Sequence, residues 1–401
     1  MISSETIRYS LRNLKNRKGR SFLTIFSILV GITTIFIFLS FGLGLYNYTQ
    51  EITSGGSADK VLIMAKGLSG LSGTSNIQLT DSDIRAVEKS AGVYKVTGAY
   101  LQVVQVKHRN EQKYVYLISY DPKIPILIES FNAKIDKGRF LKSGDSGDVI
   151  LGYNYQIDEK IFNKGLELND YIEINDTKLK VVGFMSQIGN PQDDSNIYMT
   201  NDYFKKLYPG KTSYAELIAK VKIENIDMIV ENIEKNLRNE RNQDKGEEDF
   251  YVQSFKSLIE SYTSVLNIII GFVVLIALIS VLVSGINTAN TMITSVLERF
   301  KEIGVLKSIG AKNSEILGIF LFESAFLGFV SGALGVFFGY LATYIAGKVL
   351  ADLGWSFLAP YYSWWLFAGC ILFAVVTGII SGVIPAYRAS KINTVDALRY
   401  E

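Results

Sequence analysis

Four apolar stretches, each long enough to cross a bilayer, constrain this chain more than any other feature of its sequence. A helix needs about 20 mostly apolar residues to span the hydrocarbon core. The first stretch runs from Ser21 to Tyr46, with no charge between Arg20 and Glu51. The second runs from Ser264 to Thr294, uncharged between Glu260 and Glu298. The third covers Ile316 to Gly347 and is interrupted only by Glu323, and the fourth covers Trp364 to Tyr387, uncharged from Leu353 up to Arg388. The composition fits spans alternating with an ordinary polar domain, because 48% of residues are hydrophobic while 20% are still charged. The expected fold is therefore membrane α-helical, with four transmembrane helices, plus one extracytoplasmic α+β domain.

Orientation follows from the short flanks, since cytoplasmic loops carry an excess of Lys and Arg. Arg8, Arg12, Lys15, Arg17, Lys18 and Arg20 precede span one, against the single acid Glu5. The loop between spans two and three carries Arg299, Lys301, Lys307 and Lys312, and the tail carries Arg388, Lys391 and Arg399. Both termini and that loop are expected in the cytoplasm, with residues 47–261 outside. Trp355, Tyr361, Tyr362, Trp364 and Trp365 cluster at the expected outer interface, where amphipathic rings settle. Span one is read as a retained anchor, because its apolar run is too long for a cleaved signal and lacks a small-x-small site.

The domain plan is an amphipathic helix over 1–20, span one over 21–46 and the outer domain over 47–261. Span two follows over 262–294, a cytoplasmic helical loop over 295–313 and span three over 314–350. An outer loop (351–362), span four (363–387) and a cytoplasmic tail (388–401) complete it. Small residues at four-residue spacing predict close helix contacts, within one chain or across a dimer. They include Gly328 and Gly332, then Gly335 and Gly339, in span three, and Gly378 and Gly382 in span four. Glu323, the only acidic or basic residue inside a span, is costly there. A hydrogen bond to a neighbouring helix is the expected role, with proton transport as the other.

Within the outer domain, Thr80 followed by Asp81 and Asp83 marks a helix start over Leu79–Ser90. Strands are expected at Val61–Met64, Val93–Val96, Tyr100–Lys107, Lys113–Ser119, Val149–Leu151, Tyr171–Ile174, Leu179–Phe184, Ile197–Met199, Tyr214–Val221 and Asp249–Ser254. Helices are expected at Tyr155–Phe162 and Ile226–Arg238, the latter capped by Asn225. Gly210-Lys211-Thr212 ends like a P-loop, but Lys205 stands where the motif needs glycine. Asp193 and Asp194 beside Asn190-Pro191 read as a solvated loop rather than a metal site. His108 is the only histidine and Cys370 the only cysteine, so neither a structural zinc site nor an intrachain disulfide is expected. A net charge near +2 gives no reason to expect nucleic acid.

In the loop, Leu297, Phe300, Ile303 and Leu306 recur in steps of three amid mixed charge, which predicts a short helix lying on something apolar. The run "SVLERFKEIGVLKSIGAKNSEIL…LFESAFLGFVSGALG" (295–335) and the tail "PAYRASKINTVDALRYE" (385–401) resemble the MacB/FtsX-type ABC permeases, also called type VII, which include LolC/LolE. The likeness extends over the whole order of elements. In the outer domain, "LTDSDIRAVEKSAGVYKV" (79–96), "GRFL" (138–141), "VILG" (149–152) and "LKVVGF" (179–184) are similar to the family's periplasmic core. Thr394 departs from the usual proline.

The resemblance implies a porter-like lobe near the membrane and a mainly β inserted lobe at about 126–210. It also implies a permease dimer, homo- or heteromeric, bound to separate ABC ATPase chains. ATP and Mg would sit on the ATPase and no cofactor on this chain, which would be non-catalytic. The loop becomes a coupling helix, with Glu298, Arg299, Glu302 and Lys307 as polar docking residues and Phe300 and Ile303 as apolar ones. Expected partners are the ATPase, a second permease copy, membrane lipid and an extracytoplasmic adaptor or substrate protein. The implied activity is export or extraction of a peptide, lipoprotein, lipid or drug. The alternative is FtsX-like signalling to an extracytoplasmic partner such as a cell-wall hydrolase.

Overall fold

The computed structural model describes residues 18–52, 57–66, 78–394 and 397. The expected N-terminal amphipathic helix and most of the last seven residues lie outside them. The four apolar stretches are four helices: α1 (Lys18–Ile52), α6 (Phe255–Glu298), α8 (Asn313–Asp352) and α9 (Trp364–Ser390). Each is long and apolar enough to cross a membrane. The helices outrun the apolar stretches: α6 has 44 residues, or about 66 Å at the α-helical rise, against about 30 Å of hydrocarbon. The chain divides into two compact units, one holding the membrane helices and the other the domain between spans one and two together with Leu350–Leu358.

In the membrane unit, the small-residue ladders meet other helices of the same chain. A Cβ added at Gly328 would lie 2.5 Å from the Ala374 carbonyl oxygen, and one at Gly378 would lie 2.5 Å from that of Ser324. Added at Gly382 it would strike the Ser324 hydroxyl, and at Gly332 it would come within 2.8 Å of Ala374. Gly335 and Gly339 face α1, where the nearest atoms would be Ile32 at 2.8 Å and Phe36 at 2.9 Å. The ladders thus serve contacts inside one chain. Backbones that approach this closely replace the hydrophobic force that lipid denies to helix association. By contrast α6 leaves most of its apolar surface uncovered, with Ile268, Phe272, Leu275, Ile279, Leu282 and Ile286 all exposed.

The domain between spans one and two contains two sheets. The first is antiparallel in the order β11 (Phe250–Ser254), β1 (Lys60–Ala65), β10 (Glu216–Val221), β2 (Val93–Ala99). Alternation sends Val61, Ile63, Leu217, Ala219 and Val96 to one face, where α2 (Asp81–Glu88) and α5 (Ile226–Arg241) cover them. The helix α5 supplies Ile226, Ile229, Ile233 and Leu237, a stripe at helical spacing, to the same core. Asp83 in the first turn of α2 is buried; it accepts from the Thr80 N–H at 2.7 Å and from two nitrogens of Arg241 at 2.8 Å each. Arg238 and Lys66 both pair with Glu248, which ties the charged segment after α5 back to the domain. Asn225 occupies the residue before α5 but in a left-handed conformation, and its side chain caps nothing.

The second sheet takes β3 (Leu101–His108), β4 (Glu111–Tyr120), β5 (Ile135–Gly138), β6 (Asp148–Leu151), β7 (Tyr171–Ile174), β8 (Thr177–Met185) and β9 (Ile197–Thr200). Its order is β5-β8-β6-β9-β4-β3-β7, and β7 also pairs with β8, so six strands close on themselves as a barrel. Closure leaves those six without the free edges that would otherwise template aggregation, and β5 pairs with β8 alone. The expected insert boundary near residue 126 is corrected here. The β3–β4 hairpin pairs with β7 and β9, so the inserted lobe starts at Leu101. Alternation showed two strands there but said nothing of which strands they would join. Two short helices, α3 (Ile126–Ser130) and α4 (Asn201–Leu207), had no clear signal, while the helix expected at Tyr155–Phe162 is only a 3-10 turn over Tyr153–Gln156. Tyr100 joins the lobes, its ring centre 4.7 Å from that of Phe204 and 4.6 Å from that of Tyr214.

Asp194 is buried rather than solvated. Its carboxylate accepts from the Ile188 and Gly189 N–H groups at 2.7 and 2.9 Å, and burial raises its pKa. The loop it organises meets Leu350–Leu358 within the same unit: Gly189 O accepts from the Phe357 N–H at 3.2 Å, and Gln187 donates to Ser356.

Candidate functional site: the loop between the second and third spans

Residue Arg299 ends α6, with φ −108° and ψ 17°, and the chain restarts as α7 (Phe300–Ser308). Gly310, at φ 101°, closes α7 in the left-handed conformation that glycine tolerates, and the Ala311 N–H returns to Leu306 O at 3.1 Å. One side of α7 faces the bundle. Ile303 is buried with Met292, Val296, Ile316, Phe320, Ala386 and Ala389, a cluster that draws on α6, α8 and α9. A Cβ at Gly304 would lie 2.6 Å from that of Ala397, so the small residue there makes room for the tail.

Arg299 and Glu323 meet inside this end of the bundle. The guanidinium Nη1 is 3.3 Å from Glu323 Oε2, and each side chain is only 5% exposed. The same guanidinium reaches Glu302 Oε2 at 3.3 Å and stands 5.3 Å from the centre of the Phe320 ring. Glu323 therefore engages a helix neighbour through an ion pair. Lys307 donates to the carbonyls of Ser390 at 2.7 Å and Ile392 at 2.8 Å, satisfying the end of α9.

Of the residues expected to meet a partner, Arg299, Ile303 and Lys307 thus hold the loop to its own chain, and Phe300 is half-buried. Glu298 and Glu302 are exposed, Glu302 at 58%. Around them the helix presents Lys301, Val305, Ser308 and Ile309, with Leu297 just before, and Ile309 is 77% exposed. Stepping by threes from Leu297, itself exposed, leads through Phe300, Ile303 and Leu306 along the inward side, whereas the outward side runs Glu298, Lys301 or Glu302, Val305 and Ile309. The Arg299–Glu323 pair had a signal in the sequence: a lone intramembrane carboxylate calls for a cation at the same depth, and Arg299 borders the preceding span. No group of three or more metal-ligating side chains occurs among the described residues.

A bundle of four apolar helices, a folded domain between the first and second and a loop helix seated on the last three define a multi-pass cell-membrane protein. The model for the FtsX-like permease C-terminal family matches residues 255–394, and that for the MacB-like periplasmic core domain matches 21–236. An uncharacterized ABC transporter permease of Methanocaldococcus jannaschii is 32% identical over 100% of this chain and 99% of its own length. The uncharacterized ABC transporter permease YknZ of Bacillus subtilis is 27% identical over 99% of both chains. The macrolide export ATP-binding/permease protein MacB of Wolinella succinogenes is 27% identical over 99% of this chain, which spans 61% of that relative. The chain belongs to the ABC transporter permeases of the MacB/FtsX type.

Proposed function

We propose that this chain is the permease half of an ABC transporter whose ATP hydrolysis occurs on a separate ATPase chain docked against α7. The observation that carries the proposal is the two-faced loop helix. Its inner face is fixed to three spans by Ile303, the Arg299–Glu323 pair and Lys307, while Val305, Ile309, Lys301 and Glu302 stay exposed. A helix held this way passes a push on its outer face into the spans rather than yielding to it. Glu298 and Glu302 supply polar docking, and the exposed apolar residues supply the contact area. ATP and Mg bind the ATPase and not this chain. Two relatives called permeases match this chain end to end, in keeping with a nucleotide-binding partner on its own polypeptide.

In this proposal the termini and α7 are cytoplasmic and the two-lobed domain is outside, as the flanking charges indicate. The exposed face of α6 meets lipid and a second permease copy. Substrate is handled outside, by movement of the two-lobed domain, because the glycine contacts among α1, α8 and α9 pack the interior of one chain. Export or extraction of a peptide, lipoprotein, lipid or drug is the function proposed, with an extracytoplasmic adaptor or substrate protein as the outer partner.

The test is co-purification of the chain with its ATPase, comparing wild type with Glu302→Arg and with Val305→Glu/Ile309→Glu. The variants should stay monodisperse but lose the ATPase and its stimulated hydrolysis. Normal assembly of both would place docking elsewhere, and failure of the wild-type chain to bind any ATPase would overturn the permease mechanism.

A further inference from the structure

Between the two lobes of the domain lies a cavity of about 780 Å³, within the range of drug-sized ligand sites. Its floor is a ring of four charges that alternate in sign. Lys60 contacts Asp59; Asp59 is 3.8 Å from Lys220; Lys220 is 3.2 Å from Glu129; and Glu129 is 3.9 Å from Lys60. The β1–β10 pairing sets Lys60 beside Lys220, and α3 brings Glu129 over both. Apolar side chains form the walls and mouth, among them Pro122, Pro125, Phe140 and Ile223, and the last two are exposed. The ring is graded in depth: the Lys60 side chain is 3% exposed, whereas Lys220 and Glu129 are 39% and 44% exposed.

We propose that this cavity binds a small molecule with an apolar body and a zwitterionic end, of about the size of a dipeptide. Among the described residues the ring sets two cations against two anions, so a ligand that brings one charge of each sign keeps the alternation, whereas a singly charged ligand adds an excess charge beside it. A ligand bearing both charges can enter at the open Lys220–Glu129 edge. Its carboxylate then faces Lys220 and Lys60, its ammonium faces Glu129 and Asp59, and the alternation is kept. Its apolar body meets Phe140, Ile223 and the two prolines, whose rigid rings lose little entropy on contact. This site is independent of ATPase docking, since all its residues lie in the domain between spans one and two.

The experiment uses the full chain in lipid nanodiscs, titrated by saturation-transfer NMR with the zwitterionic dipeptide phenylalanylleucine. Its N-acetyl form, an anion, and its methyl ester, a cation, are the controls. The dipeptide should saturate the site and bind at least about tenfold more tightly than either control, a difference of about 1.4 kcal/mol. Glu129→Gln and Lys220→Gln should each erase that preference. Ile223→Trp, which fills the mouth from an exposed position and leaves the ring intact, should block all binding without altering thermal stability. Absence of saturable binding, equal binding of the three probes, or binding that survives Ile223→Trp would each overturn the proposal.

Discussion

Replacing Glu323 by leucine should damage this protein more than any change at the exposed face of the same loop. The substitution leaves the Arg299 guanidinium, 5% exposed, without its buried carboxylate partner. Breaking a buried pair from one side costs about 3–5 kcal/mol, because the remaining charge stays desolvated. Among the described residues, two further contacts of Arg299 offset little of that. The Glu302 carboxylate is 58% exposed, and a pair screened to that degree contributes about 1 kcal/mol at most. The Phe320 ring, 5.3 Å from the guanidinium carbon, contributes about 0.5–2 kcal/mol. Removing both charges with Arg299→Met/Glu323→Leu should therefore recover most of the loss, ending within about 1–2 kcal/mol of wild type. The assay is a double-mutant cycle on unfolding of the chain in nanodiscs, with Glu302→Gln as the exposed control. Additive losses in the double variant, or a Glu302→Gln loss as large as that of Glu323→Leu, would refute the reasoning.

Gly378→Val should lower thermal stability by roughly the 1–3 kcal/mol typical of overpacking, since its new Cβ meets the Ser324 carbonyl at 2.5 Å. Gly369→Ala, with nothing within 4 Å, should be silent in the same melt. Arg241→Ala should destabilise the domain between spans one and two by about 3–5 kcal/mol, seen as earlier hydrogen exchange in α2, because it strands the buried Asp83. Burial raises the Glu216 carboxyl from 4.5 to about 7. Between those values the folded state holds the proton that the unfolded state has lost, so its contribution is full below about pH 4.5 and falls as pH rises through about 7. Glu216→Gln should flatten that limb of the stability–pH curve.

What the sequence made legible follows from which interactions are local. Span positions depend on length and uniform apolarity, so each apolar stretch lies inside one of the helices, whose polar ends run past it unannounced. The glycine ladders were legible as close-packing surfaces, and their partners in α1 and α9 were not, because a helix face records the closeness of a neighbour and not its identity. The same limit explains the β3–β4 hairpin: the two-residue turn at Arg109–Asn110 fixed its register, His108 opposite Glu111, but membership of the barrel depends on β7 and β9, far along the chain. Asp194 looked like a loop acid, and only the folded backbone brings the Ile188 and Gly189 N–H groups to it.

At the loop helix the difficulty was different. Charge marked Arg299 and Lys307 as surface residues, since Lys and Arg are seldom buried without a partner. Here the partners are a carboxylate in the next span and two terminal carbonyls of the last one. Lys307 thereby ties α7 to α9, which it does not adjoin in sequence, and Arg299 ties it to α8 beyond the turn that joins the two. That arrangement gives a physical reason for a charge inside span three: in the low dielectric of the bundle the pair resists separation, which is what the proposed coupling requires if a displacement of α7 is to reach α8. A residue chosen only to anchor the loop to lipid would lie on the outer face. Arg299 instead lies where the second span ends, the loop helix begins and the third span passes, the position a rigid joint between them requires.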